Sequence, residues 1–151
     1  MVKVIRSTVI NAPTDVVWAV LRDFNSHDRW HAIVRASRIE GGRLSDEVGA
    51  VRDFALASGG GIREQLLALS DASYTLTYCI LDAPLPLVDY VATIRLKPIT
   101  DGNRTFWQWE CRFDPPPERA AELVGLVGTE VYEGGFDGLR RVLAAGGDPV
   151  R

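Results

Sequence analysis

Turn signals recur between Gly41 and Asn103 at a spacing that suits antiparallel strands. The signals are Gly41-Gly42, Gly59-Gly60-Gly61, "SDAS" at Ser70 to Ser73, "DAPLP" at Asp82 to Pro86 and "TDGN" at Thr100 to Asn103. They separate apolar or alternating runs of roughly 8 to 12 residues, as in an antiparallel meander. This punctuation predicts about six strands joined mainly by hairpins.

Other elements are expected on both sides of this strand region. Before it, residues 2–11 alternate as a strand, and Pro13 then suits the first position of a helix. This helix has an apolar stripe made of Val16, Val17, Val20, Leu21 and Phe24, and a second short helical turn follows through "NSHDRW". After the strands, residues 118–145 read as one long helix whose glycines would allow a close approach to a sheet. The order predicts an α+β domain with a cavity between sheet and helix.

Composition limits the class of protein. The 151 residues are 46% hydrophobic, which suits one compact domain over residues 1–151. The 17 basic and 20 acidic residues are scattered, so we expect no nucleic-acid partner and no anionic membrane surface. The N-terminus lacks a signal-peptide pattern and no window approaches the roughly 20 apolar residues of a membrane span, which predicts a cytoplasmic protein without membrane insertion.

Cys79 and Cys111 are expected to be small buried side chains, with a redox or metal role as the alternative.

Four segments resemble a known family. They are "INAPTDVVWAVLRDFNSHDRWH", "VGAVRDFALASGGGIREQLLALSDASYTLTYCI", "APLPLVDYVATIRL" and "VYEGGFDGLRRVL". In this order they resemble the polyketide cyclase/dehydrase group of the START-like (SRPBCC, birch-pollen-allergen-like) superfamily, over nearly the whole chain. The resemblance implies a helix-grip fold, in which a seven-stranded curved antiparallel sheet clasps a long C-terminal helix and two short helices after strand 1 close one end. Such a domain holds a ligand between sheet and helix, but members range from lipid carriers to cyclases and lyases.

The stretch His27-Asp28-Arg29-Trp30-His31 has the histidine spacing of a zinc protease. That motif needs a glutamate between the histidines and a third ligand, whereas here the acid is an aspartate and no third histidine exists. The resembled family has a tryptophan near the cavity mouth at this point, which assigns Trp30. We therefore expect no metal and no cofactor, with His27 in solvent. His31 is expected near the entrance, as a ligand contact or as a surface capping group.

Strand alternation brings a charged pair to an apolar face. A three-residue loop at Ser58 to Gly60 would place Phe54 opposite Glu64, with Arg52 on the same face and diagonal to Glu64. One interpretation is a buried ion pair that joins two strands. The other is a ligand anchor, in which Arg52 holds a carbonyl, carboxylate or phenolate and Glu64 orients it or acts as a base. If the predicted register is wrong, neither interpretation of the pair applies.

Aromatic residues on later strands complete the predicted site. Tyr78 and Tyr90 add hydroxyl groups to apolar faces, and Trp107 and Trp109 face inward on the last strand, opposite in parity to Glu110. Each can fill the core or contact a ligand.

Three functions follow as hypotheses. The first is binding of a hydrophobic small molecule, aromatic, polyketide-like or lipid-like, by a monomer or homodimer, with the residues just named as ligand contacts. The second is a cyclase, dehydratase or lyase in which Glu64 or Tyr78 transfers protons and Arg52 stabilises an oxyanion. The third is a protein-interaction module with a vestigial cavity. Only Lys3 and Lys97 could form a Schiff base, and both are expected to face outward.

Overall fold

The computed structural model describes residues 1–146, and its order of elements confirms the predicted α+β architecture. The strands are β1 (Val2–Ile10), β2 (Val34–Ile39), β3 (Val51–Leu56), β4 (Gly61–Ser70), β5 (Thr75–Asp82), β6 (Val88–Ile99) and β7 (Arg104–Asp114). Helix α1 (Thr14–Leu21) and a 3-10 turn (His27–Arg29) separate β1 from β2, and a further 3-10 turn (Glu40–Gly42) follows β2.

The seven strands form one antiparallel sheet in the order β1-β7-β6-β5-β4-β3-β2. Only β1 lies out of sequence, because it pairs with the last strand. Register shifts in β2, β4 and β6 interrupt the ladder and bend the sheet. At the β2 edge, the Asp28 carboxylate accepts the backbone N–H of Ser37 at 3.2 Å, so that this donor is not offered to another strand.

A helical segment of 28 residues follows the sheet and packs across its inner face, as expected of a helix-grip fold. This C-terminal helix consists of a 3-10 turn (Pro117–Arg119), α2 (Ala120–Gly125), a π-helical stretch (Leu126–Glu133) and α3 (Gly134–Ala144). The sequence predicted one regular helix and did not indicate the π geometry. Within that stretch, the carbonyl of Val131 lies 2.7 Å from His31 Nε2, a donor from outside the helix that competes with the regular ladder. No helix within residues 1–146 is long and apolar enough to cross a membrane.

Helix α1 begins at Thr14, one residue after the position that the proline predicted, and Pro13 is its N-cap. The backbone N–H groups of Val16 and Val17 both donate to the Pro13 carbonyl at 3.1 Å. Val16, however, is 43% exposed and does not belong to the buried stripe. Trp18 is buried instead, with its indole N–H donating to the Asp71 carboxylate at 2.8 Å and its ring packed edge-on against Tyr74.

Aromatic side chains fill the space between β7 and the C-terminal helix. The Trp109 ring stacks on Tyr132 with centroids 4.4 Å apart, and Trp107 meets Phe136 edge-on at 4.7 Å. Trp107 and Trp109 also stack on each other at 5.7 Å. The predicted inward parity of this strand is confirmed, while Glu110 forms ion pairs on the outer face with Lys3 and Arg95.

The β3–β4 hairpin differs in register from the prediction. Ala55 pairs with Gly61 and Phe54 with Ile62, so Arg52 lies directly opposite Glu64 instead of diagonal to it. The loop is longer than expected because the N–H of Ala57 donates to the Ile33 carbonyl at 2.9 Å and not across the hairpin. The slip amounts to two residues, so the predicted faces are unchanged.

Candidate functional site

A cavity of about 60 Å³ lies between the C-terminal helix and the inner face of β3 to β6. Its wall is mainly aliphatic and aromatic, with a few polar groups. The lining residues are His31, Ile33, Val34, Arg52, Phe54, Leu56, Ile62, Glu64, Tyr78, Ile80, Leu87, Tyr90, Trp109, Val127 and Val131. The strands supply the polar groups except His31, which lies in the segment before β2, whereas Val127 and Val131 come from the π-helical stretch and Leu87 from the loop before β6.

Arg52 and Glu64 form a buried ion pair on the cavity wall. The guanidinium Nε and Nη2 lie 2.8 and 2.7 Å from Glu64 Oε1, and Nη1 donates to the Phe24 carbonyl at 3.0 Å. Both residues are less than 10% exposed. Burial raises the pKa of the Glu64 carboxyl, and the adjacent Arg52 charge opposes that shift.

Arg52 also contacts three aromatic rings. Its guanidinium carbon lies 3.9 Å from the ring centroid of Phe24, 5.0 Å from Tyr78 and 5.7 Å from Phe54. These cation–π contacts stabilise a charge that has little access to water. The same guanidinium borders a second cavity of about 20 Å³ beneath the 3-10 turn, with room for one water molecule.

Three tyrosine hydroxyls lie close together in the core. The Trp109 indole N–H donates to the Tyr78 hydroxyl at 3.0 Å, and the hydroxyls of Tyr90 and Tyr132 are 2.6 Å apart. Burial raises the pKa of all three phenols, so they stay neutral in the folded protein. They can act as hydrogen-bond donors or acceptors but not as phenolates at neutral pH.

Both histidines are buried beside this site. His31 is 4% exposed, its Nε2 donates to the Val131 carbonyl, and burial lowers its pKa to about 4. His27, which the sequence placed in solvent, is 5% exposed and packs edge-on against Phe54 at 4.5 Å. Neither His27 ring nitrogen has a hydrogen-bond partner within residues 1–146, and burial, followed by the Arg52 charge, lowers its pKa.

The family of this fold follows from a comparison with family models. The model described as "Polyketide cyclase / dehydrase and lipid transport" matches residues 1–144. The chain belongs to this polyketide cyclase/dehydrase and lipid transport family. The match extends from the first strand through α3, and it confirms the resemblance found in the sequence. A comparison with curated proteins gives no significant match.

Solved structures of similar proteins agree with this assignment. An uncharacterized protein from Bacillus thuringiensis is 30% identical, with a TM-score of 0.82 over 95% of this chain and 99% of the other. The protein XoxI from Bacillus cereus is 29% identical, with a TM-score of 0.83 over 95% and 96% of the two chains. A protein from Thermobifida fusca, solved by NMR, is 30% identical with a TM-score of 0.82, over 93% and 91% of the chains. These similarities support the fold and name no ligand.

Seven of the nine predicted contact residues line the 60 Å³ cavity of this family member. They are His31, Arg52, Phe54, Glu64, Tyr78, Tyr90 and Trp109. The other two lie elsewhere: Trp30 borders the 20 Å³ cavity, and Trp107 is fully buried behind its neighbours. Within residues 1–146, no group of three or more His, Cys, Asp or Glu side chains is placed to hold a metal ion.

The sequence did not identify the contribution of the C-terminal helix to the site. Tyr132 is fully buried and pairs with Tyr90, and Val127 and Val131 form part of the cavity wall. Tyr132 follows Val127 by five residues, which is the hydrogen-bond spacing of a π-helix and not of an α-helix. A search for α-helical periodicity looks for apolar residues three or four positions apart, so it misses a pair with this spacing.

Proposed function

We propose that this protein binds a hydrophobic small molecule in the 60 Å³ cavity between sheet and C-terminal helix. The observation that carries the proposal is the composition of the wall, which is apolar except for a few polar groups around one buried ion pair. Binding sites for small organic molecules commonly combine an apolar lining with a few fixed polar groups. The family description, which includes lipid transport, supports the same class of ligand.

The size of the cavity sets a condition on binding. A dry engineered cavity that binds benzene measures about 150 Å³, more than twice the volume present here. A ring or an acyl chain therefore requires the wall to move outward. The lining side chains that lie outside the strands, and can yield without breaking the sheet, include Ile33 before β2, Leu87 before β6, and Val127 and Val131 on the helix.

Single-ring probes test the proposal most directly. We expect p-xylene and p-cresol at millimolar concentration to shift the indole N–H resonance of Trp109, because its ring lines the cavity. Ile80→Trp should abolish the shift by filling the cavity. Leu81→Trp is the matched control, since Leu81 is the next residue on β5, is 45% exposed and lies outside the wall.

Binding by the Ile80→Trp variant that equals wild-type binding would refute the location. Absence of binding for every probe, together with an empty protein in native mass spectrometry after purification from its own host, would refute the function. That result would favour an interaction module instead.

Catalysis by proton transfer is a second candidate, and the position of Glu64 favours it. Burial raises the pKa of this carboxyl above its ordinary value, and the Tyr78 hydroxyl lines the same cavity. Arg52 would act as the oxyanion contact. In a substrate panel, Glu64→Gln should bind substrate and lose turnover, so turnover equal to wild type would exclude Glu64 as the base.

A further inference from the structure

The carboxylate of Glu64 has one oxygen in use and one that remains free for a ligand. Both guanidinium contacts from Arg52, at 2.8 and 2.7 Å, end on Oε1. Oε2 accepts no hydrogen bond from any residue that the structure describes. It is also not sealed from solvent, unlike the unpartnered ring nitrogens of His27. A group of water size inside the cavity can therefore reach Oε2.

The other polar groups on the wall are already hydrogen-bonded. The Tyr78 hydroxyl accepts the Trp109 indole N–H, the Tyr90 hydroxyl is paired with Tyr132, and His31 Nε2 donates to the helix backbone. A ligand that donated to one of these groups would compete with an existing hydrogen bond, whereas the Tyr78 hydroxyl, which accepts from Trp109, can still donate its own proton. Glu64 Oε2 offers an acceptor at no such cost.

The ion pair also determines which charge the cavity tolerates. Arg52 and Glu64 neutralise each other, and Arg52 has a third contact to the Phe24 carbonyl. An anionic ligand would have to displace the Glu64 carboxylate from Arg52 or lie beside it in a site with little water. A neutral ligand with acceptor atoms alone would direct lone pairs at Oε2. Both cases oppose binding, which makes the carboxylate a selectivity element.

We infer that the cavity selects a neutral apolar molecule whose O–H or N–H group donates a hydrogen bond to Glu64 Oε2. This inference rests on the proposed function and specifies its ligand. It assigns Arg52 to positioning Glu64, in place of the direct contact with a ligand oxyanion that the sequence suggested. Arg52 holds Oε1 and thereby orients Oε2.

Four probes of nearly equal shape separate the possibilities, namely p-cresol, p-xylene, 4-methylanisole and p-toluate. They carry, in order, a donor, no polar group, an acceptor alone and a negative charge. We expect p-cresol to bind the wild-type chain at pH 7 about 10- to 100-fold more tightly than p-xylene or 4-methylanisole, the range for a buried hydrogen bond to a charged group. We expect p-toluate to bind most weakly. Titration followed by the Trp109 indole resonance gives all four dissociation constants.

The outcomes test the selectivity for a donor separately from the proposed function. Equal binding of p-cresol, p-xylene and 4-methylanisole would overturn the inference and leave hydrophobic binding intact. Preference for p-toluate would overturn it in favour of Arg52 as the ligand contact. No binding of any probe would overturn the inference, and together with an empty protein in native mass spectrometry it would overturn the proposed function as well.

Glu64→Gln provides a second test with a predicted change in selectivity. The substitution keeps the shape of the side chain and leaves the Arg52 charge uncompensated, so affinity for p-toluate should rise above affinity for p-cresol. Glu110→Gln is the matched control, because it makes the same chemical change on the outer face of β7 and should leave the wild-type order of affinities. If Glu64→Gln does not fold, the four wild-type affinities still decide the inference.

Discussion

Gly138 marks a close approach between α3 and the segment before β2. A Cβ atom at this position would overlap the carbonyl oxygen of Trp30 and lie 3.5 Å from the Cα of His31. Because both contacted atoms belong to the backbone, no side-chain rotation can make room. The substitution Gly138→Ala therefore forces the C-terminal helix away from the sheet.

The magnitude follows from two opposing terms. Overpacking costs about 1 to 3 kcal/mol of stability, and a clash with backbone atoms that cannot rotate away should cost about 3 kcal/mol. Alanine in a helix interior is about 1 kcal/mol more favourable than glycine, because of its higher helix propensity. We expect Gly138→Ala to lower the free energy of unfolding by about 2 kcal/mol.

Gly125 provides the control in the same helical segment. Its added Cβ would meet no atom within 4 Å, and its backbone is helical with φ −63° and ψ −44°. Gly125→Ala should therefore stabilise the protein by about 1 kcal/mol. With a urea m-value of about 2 kcal/mol/M, the two variants should differ by about 1.5 M in their unfolding midpoints, measured by far-UV circular dichroism.

Equal stabilisation by both alanines would refute the close approach at Gly138. Equal destabilisation would show that this helix depends on its glycines for a reason other than the contact with Trp30.

Three further predictions concern the buried polar groups. Burial lowers the pKa of His31 from 6.5 to about 4, so the stability it contributes is present above pH 6.5 and is lost as the pH falls toward 4. The loss should reach about 3 kcal/mol. Urea titrations at several pH values between 7 and 4 should show that the free energy of unfolding of His31→Gln depends less steeply on pH than that of the wild type. Glu64→Gln, which leaves Arg52 unpaired, should cost about 3 to 5 kcal/mol, whereas the double variant Arg52→Met/Glu64→Leu should recover most of it; a double variant no more stable than the single one would contradict this. Tyr132→Phe, which removes the 2.6 Å contact with Tyr90, should lower the melting temperature by the equivalent of about 1 kcal/mol, and an unchanged value would show that this hydrogen bond is energetically neutral.

Local patterns in the sequence determined the elements and their buried faces. Alternation alone placed Trp107 and Trp109 inside and Glu110 outside, and turn residues marked the ends of the strands. The same alternation put Arg52 and Glu64 on one inner face even though the predicted register was wrong by two residues. A two-residue slip preserves side-chain direction, so the face is a more robust prediction than the partner.

Tertiary structure alone decided which polar atoms are satisfied. The loop length that sets Arg52 opposite Glu64 depends on the Ala57 N–H finding the Ile33 carbonyl, a contact that no local pattern encodes. The burial of His27 likewise depends on the position of Phe54, on a strand distant in sequence.

The helix shows the same division between local and tertiary information. The sequence determined a long C-terminal helix with an apolar face, because periodicity is a local property. The π-helical stretch brings Tyr132 to Tyr90, while His31 donates to the Val131 carbonyl within it. The sequence therefore determined which side chains face the core. Only the packed structure decided which of them meet and which oxygen remains free, because hydrogen-bond pairing depends on distances between segments far apart in the chain.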